Sequence, residues 1–226
     1  MKILILLTNF IIGCCLGSHA LVLTQRLYHN NFILGSSHCD TCHTQLSLLD
    51  EIPIYSYFKN KGRCQFCSAS IPIVTVIAEL LGGFAFFHVD FSNTSEIIEV
   101  IFIFYLLIIA LQDYQNSEFS TIFIIPLAFI AILFPSSNYH NFNNLDWIIL
   151  TLLSLFLLIQ VLNKKMGSGD LIIFLLLAFY LGTITAIHIL LIGCILCLIY
   201  YFINSSSQTL PFIPFIFCGL IINNLF

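Results

Sequence analysis

This chain predicts an all-α, polytopic membrane helix bundle of about eight spans, with a cysteine-bearing loop between spans one and two. Three observations predict it. Hydrophobic residues make up 59% of the 226 positions, charged residues 8%, and mean hydropathy is +1.02. A water-soluble fold of this size has no interior large enough for that much apolar surface. The apolar residues fall in runs of spanning length, and Lys and Arg gather in alternate loops between the runs.

The expected spans are Ile3–Leu23, Ile71–Phe87, Ile97–Leu111, Phe119–Phe134, Trp147–Leu162, Leu171–Gly182, Ile184–Ile203 and Leu210–Phe226. The run from Leu171 to Ile203 is too long for one span, and Gly182-Thr183 supplies a break. Several spans are short for a bilayer, so tilted neighbours or local thinning are expected. The chain thus divides into a first span (1–23), a loop with four cysteines (24–70) and a helical core (71–226). Arg26, Lys59, Lys61 and Arg63 lie in that loop, and Lys164 and Lys165 lie between spans five and six. The positive-inside rule puts both loops in the cytoplasm, and parity puts Gln112–Ser117 there too. Lys2 falls outside, against the scheme. Met1-Lys2 before an apolar stretch also fits a cleaved signal peptide, and Ile11-Ile12-Gly13-Cys14 has some likeness to a lipoprotein cleavage box. Cleavage would leave the basic loop outside, so an uncleaved first span is expected. A net charge of −4 with no basic field argues against a nucleic-acid partner.

Four of the nine cysteines form two C-x-x-C pairs, Cys39/Cys42 and Cys64/Cys67, with 21 residues between Cys42 and Cys64. Two such pairs suit tetrahedral zinc in a ribbon-like knuckle. Two disulfides are the other reading, disfavoured in a reducing cytoplasm. Four thiolates leave no open position, so this zinc would be structural. His38 and His43 are expected to be solvated neighbours. Cys14, Cys15, Cys194, Cys197 and Cys218 are expected to be small core residues.

Asp113 closes the run Ile97–Leu111, and Asp170 opens the run at Leu171 within Gly167-Ser168-Gly169-Asp170. A carboxylate at a bilayer edge is costly to desolvate, and such groups usually have a function. Gly167 and Gly169 let backbone or substrate approach it. The span parity places both aspartates on the cytoplasmic side at similar depth, as an acid–base pair needs. Singly, Asp170 also fits a helix N-cap, and Asp113 a solvated loop residue such as Asp90, Glu118 and Asp146. Glu79 lies inside span two, where it could meet a substrate's amino terminus, pair with Arg26, or be a hydrogen-bonded structural carboxyl.

Together these residues resemble the type IV prepilin peptidases, in particular the shorter competence-type enzymes of Gram-positive bacteria. The resemblance starts at Gly17-Ser18 and Arg26. It continues through Ser37-His38-Cys39-Asp40-Thr41-Cys42, Leu49-Asp50-Glu51-Ile52-Pro53 and Lys61-Gly62-Arg63-Cys64-Gln65-Phe66-Cys67. It includes Glu79-Leu80-Leu81-Gly82-Gly83, Asp113 with Pro126, Gly167–Asp170 and Leu210-Pro211-Phe212-Ile213-Pro214-Phe215. The chain departs from the pattern at Phe119-Ser120, where Ile-Pro is usual, at Ile172, often a lysine, and at Ala20–Leu23, where an asparagine is expected. The resemblance implies an intramembrane aspartic endopeptidase. Asp113 and Asp170 would be its dyad, with Glu79, Gly167 and Gly169 at the substrate. It would remove the leader of prepilin-like (pseudopilin) precursors, after a glycine, at the cytoplasmic membrane face. It also implies methylation of the new amino terminus with S-adenosylmethionine, although the sequence has no glycine-rich cofactor loop after a strand. Two rival readings use the same residues. One is a proton- or ion-coupled transporter using Asp113, Asp170 and Glu79, for which inverted repeats would be expected and none is seen. The other is a non-catalytic pilin-assembly factor.

Overall fold

The computed structural model describes residues 2–26, 37–39, 41–47, 49–89, 91, 93–135, 143–204 and 210–225. Asp40 and Asp90 lie outside them. Among the described residues the fold is helical, with no β-strand and two isolated bridges, His38–Gln45 and Arg63–Ser70. The chain forms two compact units, Met1–Val89 and Asp90–Phe226.

The first unit holds α1 (Lys2–Arg26), α2 (Tyr55–Lys59) and α3 (Ile73–Ala85). α1 packs against α3 at a crossing of bare backbone. A Cβ on Gly13 would lie 2.5 Å from the Gly82 carbonyl oxygen, and one on Gly17 would strike the Ala78 carbonyl. Small residues at such spacing let helices approach closely where lipid offers no hydrophobic drive. Asn9 closes the far end, its amide donating to the Val89 carbonyl at 2.7 Å.

The second unit holds α4 (Thr94–Asn116), a 3-10 turn (Thr121–Phe123), α5 (Ile124–Leu133), α6 (Asn144–Leu162), α7 (Ser168–Leu181), α8 (Thr183–Asn204) and α9 (Ile213–Leu225). α4 is the core helix and packs on α5 and α9. Phe102, Ile103 and the row Leu106–Leu111 are buried. α7 packs on α5, α6 and α8. α7 and α8 part at Gly182, whose φ of 87° and missing Cβ allow the turn. Only 11% of α6 and 17% of α8 are buried, so both present apolar surface outward, as lipid-facing helices do.

Each apolar run becomes a helix, but not each is long. Four are long and apolar enough to cross a membrane: Ile3–Arg26, Glu96–Asn116, Asn144–Leu162 and Thr183–Asn204. The others, Ile73–Ala85, Thr121–Leu133, Ser168–Leu181 and Ile213–Leu225, have 10 to 17 residues. The expectation of about eight full spans is therefore met at four. Three sequence expectations need correction. Gln112–Ser117 is not a loop: α4 continues to Asn116 and stops where Ser117 turns to φ 54°. The backbone ladder does not depend on side-chain polarity, and the Ser117 N–H still reaches the Asp113 carbonyl at 2.8 Å. Asp146 is no solvated loop residue, because it accepts the Asn143 N–H at 2.9 Å and caps α6. Of the five cysteines expected in the core, only Cys14 is buried, while Cys15 and Cys194 are exposed. A thiol is small and weakly polar, so a lipid-facing position costs it little.

Candidate active site and metal-binding loop

In the first unit, the described residues around Cys39/Cys42 and around Cys64/Cys67 form two knuckles with the same bonding. The Cys39 N–H donates to the Thr44 carbonyl at 3.0 Å, and the Cys64 N–H donates to the Ala69 carbonyl at 2.9 Å. The His43 N–H returns to the Cys39 carbonyl at 2.8 Å, and the Ser68 N–H to the Cys64 carbonyl at 3.0 Å. His43 and Ser68 both take positive φ, 55° and 59°. Each bridge closes its knuckle one residue before the first cysteine and six after it.

The knuckles face each other through sulfur. Cys39 Sγ lies 3.8 Å from Cys67 Sγ, Cys42 Sγ lies 3.9 Å from Cys64 Sγ, and all four fall within 4.8 Å of one another. Zinc–thiolate bonds of about 2.3 Å in a tetrahedron set sulfurs about 3.8 Å apart, so the four residues fit such an ion. Cys42 is already biased toward the thiolate, since its hydrogen bond with the Thr44 hydroxyl pulls the thiol down to about 6. Neither His38 nor His43 belongs to the cluster. Asp50 accepts from Ser47, Asn60 and Gln65 at 2.6, 3.1 and 2.9 Å; the Ser47 and Asn60 hydrogen bonds, with Lys59 at 3.7 Å, hold its carboxyl below the usual carboxylate range.

Glu79 joins this loop to the helices. The Ser18 hydroxyl donates to Glu79 Oε1 at 3.1 Å, and the Ile54 N–H donates to Oε2 at 2.6 Å. Ile54 is at φ 63°, ψ −50°, and the Tyr55 N–H closes back on the Pro53 carbonyl at 2.5 Å. This is a γ-turn of the strained hand on a β-branched residue. The Glu79 carboxylate is what holds it. Glu79 is thus hydrogen-bonded within the first unit.

In the second unit, Asp113 and Asp170 line one cavity of about 530 Å³. Asp113 projects from the last turns of α4, and Asp170 from the first turn of α7. Both are buried, 7% and 9% exposed. Each is anchored through Oδ2 by a backbone amide. The Ile213 N–H donates to Asp113 at 3.1 Å and the Gly167 N–H to Asp170 at 3.2 Å. Ile213 is the first residue of α9, where amides lack intrahelical partners and the dipole favours an anion. Each carboxylate therefore sits at a helix N-terminus, which offsets part of its desolvation.

The glycines act differently. A Cβ on Gly169 would lie 2.6 Å from Phe119 Cζ, so the ring needs that bare backbone. A Cβ on Gly167 would stand 3.3 Å from Asp170 Oδ2, a tight but smaller conflict. Gln112 was not singled out by sequence. Only 2% exposed, it accepts the Ser120 N–H at 3.2 Å and fixes the turn carrying Phe119. The Ile213 amide was equally invisible, because a backbone donor has no sequence signature. Phe119 and Ile172, noted as departures from a pattern, both line the cavity.

Residues 11–92 match the Bacterial Peptidase A24 N-terminal domain, and residues 100–202 match the Type IV leader peptidase family.

The chain belongs to the type IV leader peptidase family.

Relatives of this leader peptidase include the Prepilin leader peptidase/N-methyltransferase of Bacillus subtilis, 27% identical over 96% of this chain and 92% of the relative. Proteins of that name from Pseudomonas aeruginosa and Legionella pneumophila are 26% and 28% identical, each over 82% of this chain and over 68% and 70% of their own. No solved structure gives a significant match. The family boundary near residue 92 falls close to the division between the two compact units. The family and the relatives are named as peptidases, which favours the peptidase reading over the transporter one.

Proposed function

We propose that the chain is an intramembrane aspartic endopeptidase that removes the leader of prepilin-like precursors at the cytoplasmic membrane face, with Asp113 and Asp170 as its dyad. The observation that supports it is the shared cavity: two buried carboxyls from segments far apart in sequence, with room beside them for a peptide. Two close carboxyls resist simultaneous ionisation, so the pair holds one proton and titrates as a unit. One carboxylate takes a proton from water, and the resulting hydroxide adds to the scissile carbonyl. The protonated partner gives its proton to the carbonyl oxygen. Collapse of the tetrahedral adduct breaks the C–N bond, and the amine leaves with a proton from the dyad. No side-chain nucleophile is needed.

Lys164 and Lys165, in the connection before Gly167, supply the cytoplasmic orientation by the positive-inside rule. In this reading the four short apolar helices also enter the bilayer, which gives about eight spans with local thinning. Cys39, Cys42, Cys64 and Cys67 would hold a structural zinc ion, which cross-links the two knuckles and takes no part in the chemistry. Glu79, bonded to Ser18 and Ile54, would shape the substrate's approach by fixing the loop. The relatives' name includes methyl transfer. We derive no such step, because the described residues show no glycine-rich loop between a strand and a helix for S-adenosylmethionine.

The test is leader removal from a prepilin-like precursor in membranes. Asp113→Asn and Asp170→Asn should each abolish it at normal protein levels. Processing by both variants would remove the dyad, and processing by neither the variants nor the wild type would favour an assembly factor. Incubation with labelled S-adenosylmethionine reads methyl transfer separately.

A further inference from the structure

The dyad explains where a bond is cut, but a precursor whose apolar helix stays in the bilayer must also be held beside it. A second cavity, of about 270 Å³, lies between α6 and α7 and is lined by Thr151, Ser154, Leu155 and Leu158 on one wall and by Leu171 and Leu175 on the other. Leu171 follows Asp170 directly in sequence, and Ile172 lines the cavity of the two aspartates. α7 therefore contributes to both spaces, through different residues of its first two turns.

The connection over 163–167 is short, so α6 and α7 run antiparallel as neighbours. Leu158 and Leu171 then mark the end near the dyad, and Thr151 and Leu175 the deeper end. From Thr151 to Leu158 the groove covers two helical turns, about 10 Å at the usual rise. Its α6 wall recurs at 151, 154, 155 and 158, one face of a helix. The two polar residues on that face are internally satisfied. Thr151 donates to the Ile148 carbonyl at 2.9 Å and Ser154 to the Thr151 carbonyl at 3.0 Å. Both stay small and need no outside partner, the property that lets helices pack closely in lipid. With 11% of α6 buried, this face has space beside it.

We propose that the α6/α7 groove docks the first two turns of the precursor's apolar helix and thereby sets which peptide bond reaches Asp113 and Asp170. Ser154 and Leu155 are then positioning residues for the cut. The inference rests on the proposed peptidase reading.

The experiment uses the full-length chain in proteoliposomes with two substrates. One is a precursor with a basic leader, a glycine before the scissile bond and an apolar helix of about 20 residues. The other is a peptide with the same leader and cleavage site that stops before the helix. Ser154→Phe fills the groove, and Ser154→Ala is its small-residue control. The expected result for Ser154→Phe is that KM for the precursor, relative to KM for the short peptide, rises about tenfold or more, a loss of about 1.4 kcal/mol in binding, while Ser154→Ala keeps the ratio. An unchanged ratio in Ser154→Phe overturns the proposal and leaves the groove to lipid. If Ser154→Phe cuts neither substrate, a photo-crosslinker decides. Benzoylphenylalanine at Leu155 should join the first two turns of the precursor helix, and the same group at Leu198, on the outward face of α8, should not. Crosslinking at neither position, or equally at both, overturns the proposal. Failure of the dyad itself shows differently, as processing that survives in Asp113→Asn and Asp170→Asn.

Discussion

Gly169→Ala is the sharpest perturbation this structure offers. The added methyl would sit 2.6 Å from Phe119 Cζ, where non-bonded carbons settle about 3.5–4.0 Å apart. About 1 Å or more must be absorbed, by rotation of the half-buried ring or by displacement of the first turn of α7. Phe119 is a flat ring held by the turn that Gln112 fixes through the Ser120 amide. Gly169 is one residue from Asp170, in the first turn of α7. Overpacking of this kind costs about 1–3 kcal/mol, and a 1 Å misplacement of a reacting group costs about a hundredfold in rate. Gly169→Ala should therefore lower leader cleavage about a hundredfold with a modest loss of thermal stability. The double variant Gly169→Ala/Phe119→Ala should recover at least tenfold of that loss, because the obstructing ring is gone. The assay is the initial rate of precursor cleavage in proteoliposomes, with melting temperature measured in parallel. Wild-type rates in Gly169→Ala, or no recovery in the double variant, would refute the argument that this glycine exists to admit the ring.

Three further outcomes follow from other contacts. Glu79→Ala strands the Ile54 amide and releases the strained turn, so the melting temperature should fall by an amount matching about 1–3 kcal/mol, with Ile54 and Tyr55 amides exchanging faster by hydrogen–deuterium mass spectrometry. Unchanged exchange there would show that Glu79 does not hold the turn. Cys39→Ser should lower bound zinc by elemental analysis and loosen the loop, while the precursor cleavage rate per folded molecule changes less than threefold, about 0.7 kcal/mol. A fully folded loop without metal would remove the structural-zinc argument. Gly13→Leu should separate α1 from α3, because its side chain meets the Gly82 carbonyl, and overpacking costs of about 1–3 kcal/mol should appear as lost thermal stability. A variant as stable as wild type would mean that the crossing is not close in solution.

The sequence made much of this legible because apolar run length and paired cysteines are strong physical signals. The helical class follows from the runs, and the break at Gly182 from the one residue that enters φ 87° without strain. The two C-x-x-C pairs suggest one shared metal, with two disulfides as the other reading, and the four sulfurs do meet in one cluster. Helix ends were less visible. Hydropathy ended a segment at Leu111, but α4 runs to Asn116, since backbone bonding continues through Gln112 and Asp113. That difference moves Asp113 from a loop onto a rigid helix. Membrane thickness misled the count of long helices, because α3, α5, α7 and α9 are apolar but brief. The supports of the site were hidden for a simpler reason. The Ile213 amide, the Gly167 amide and the Gln112–Ser120 bond are pairings between positions, and composition does not reveal who meets whom.

The Ile213–Asp113 hydrogen bond joins positions 100 residues apart. During synthesis on the ribosome, α4 and α7 emerge well before the amide that steadies the first aspartate. A nascent chain short of residue 213 would hold both acids without that clasp. In the proposed peptidase reading, competence would then come late in translation.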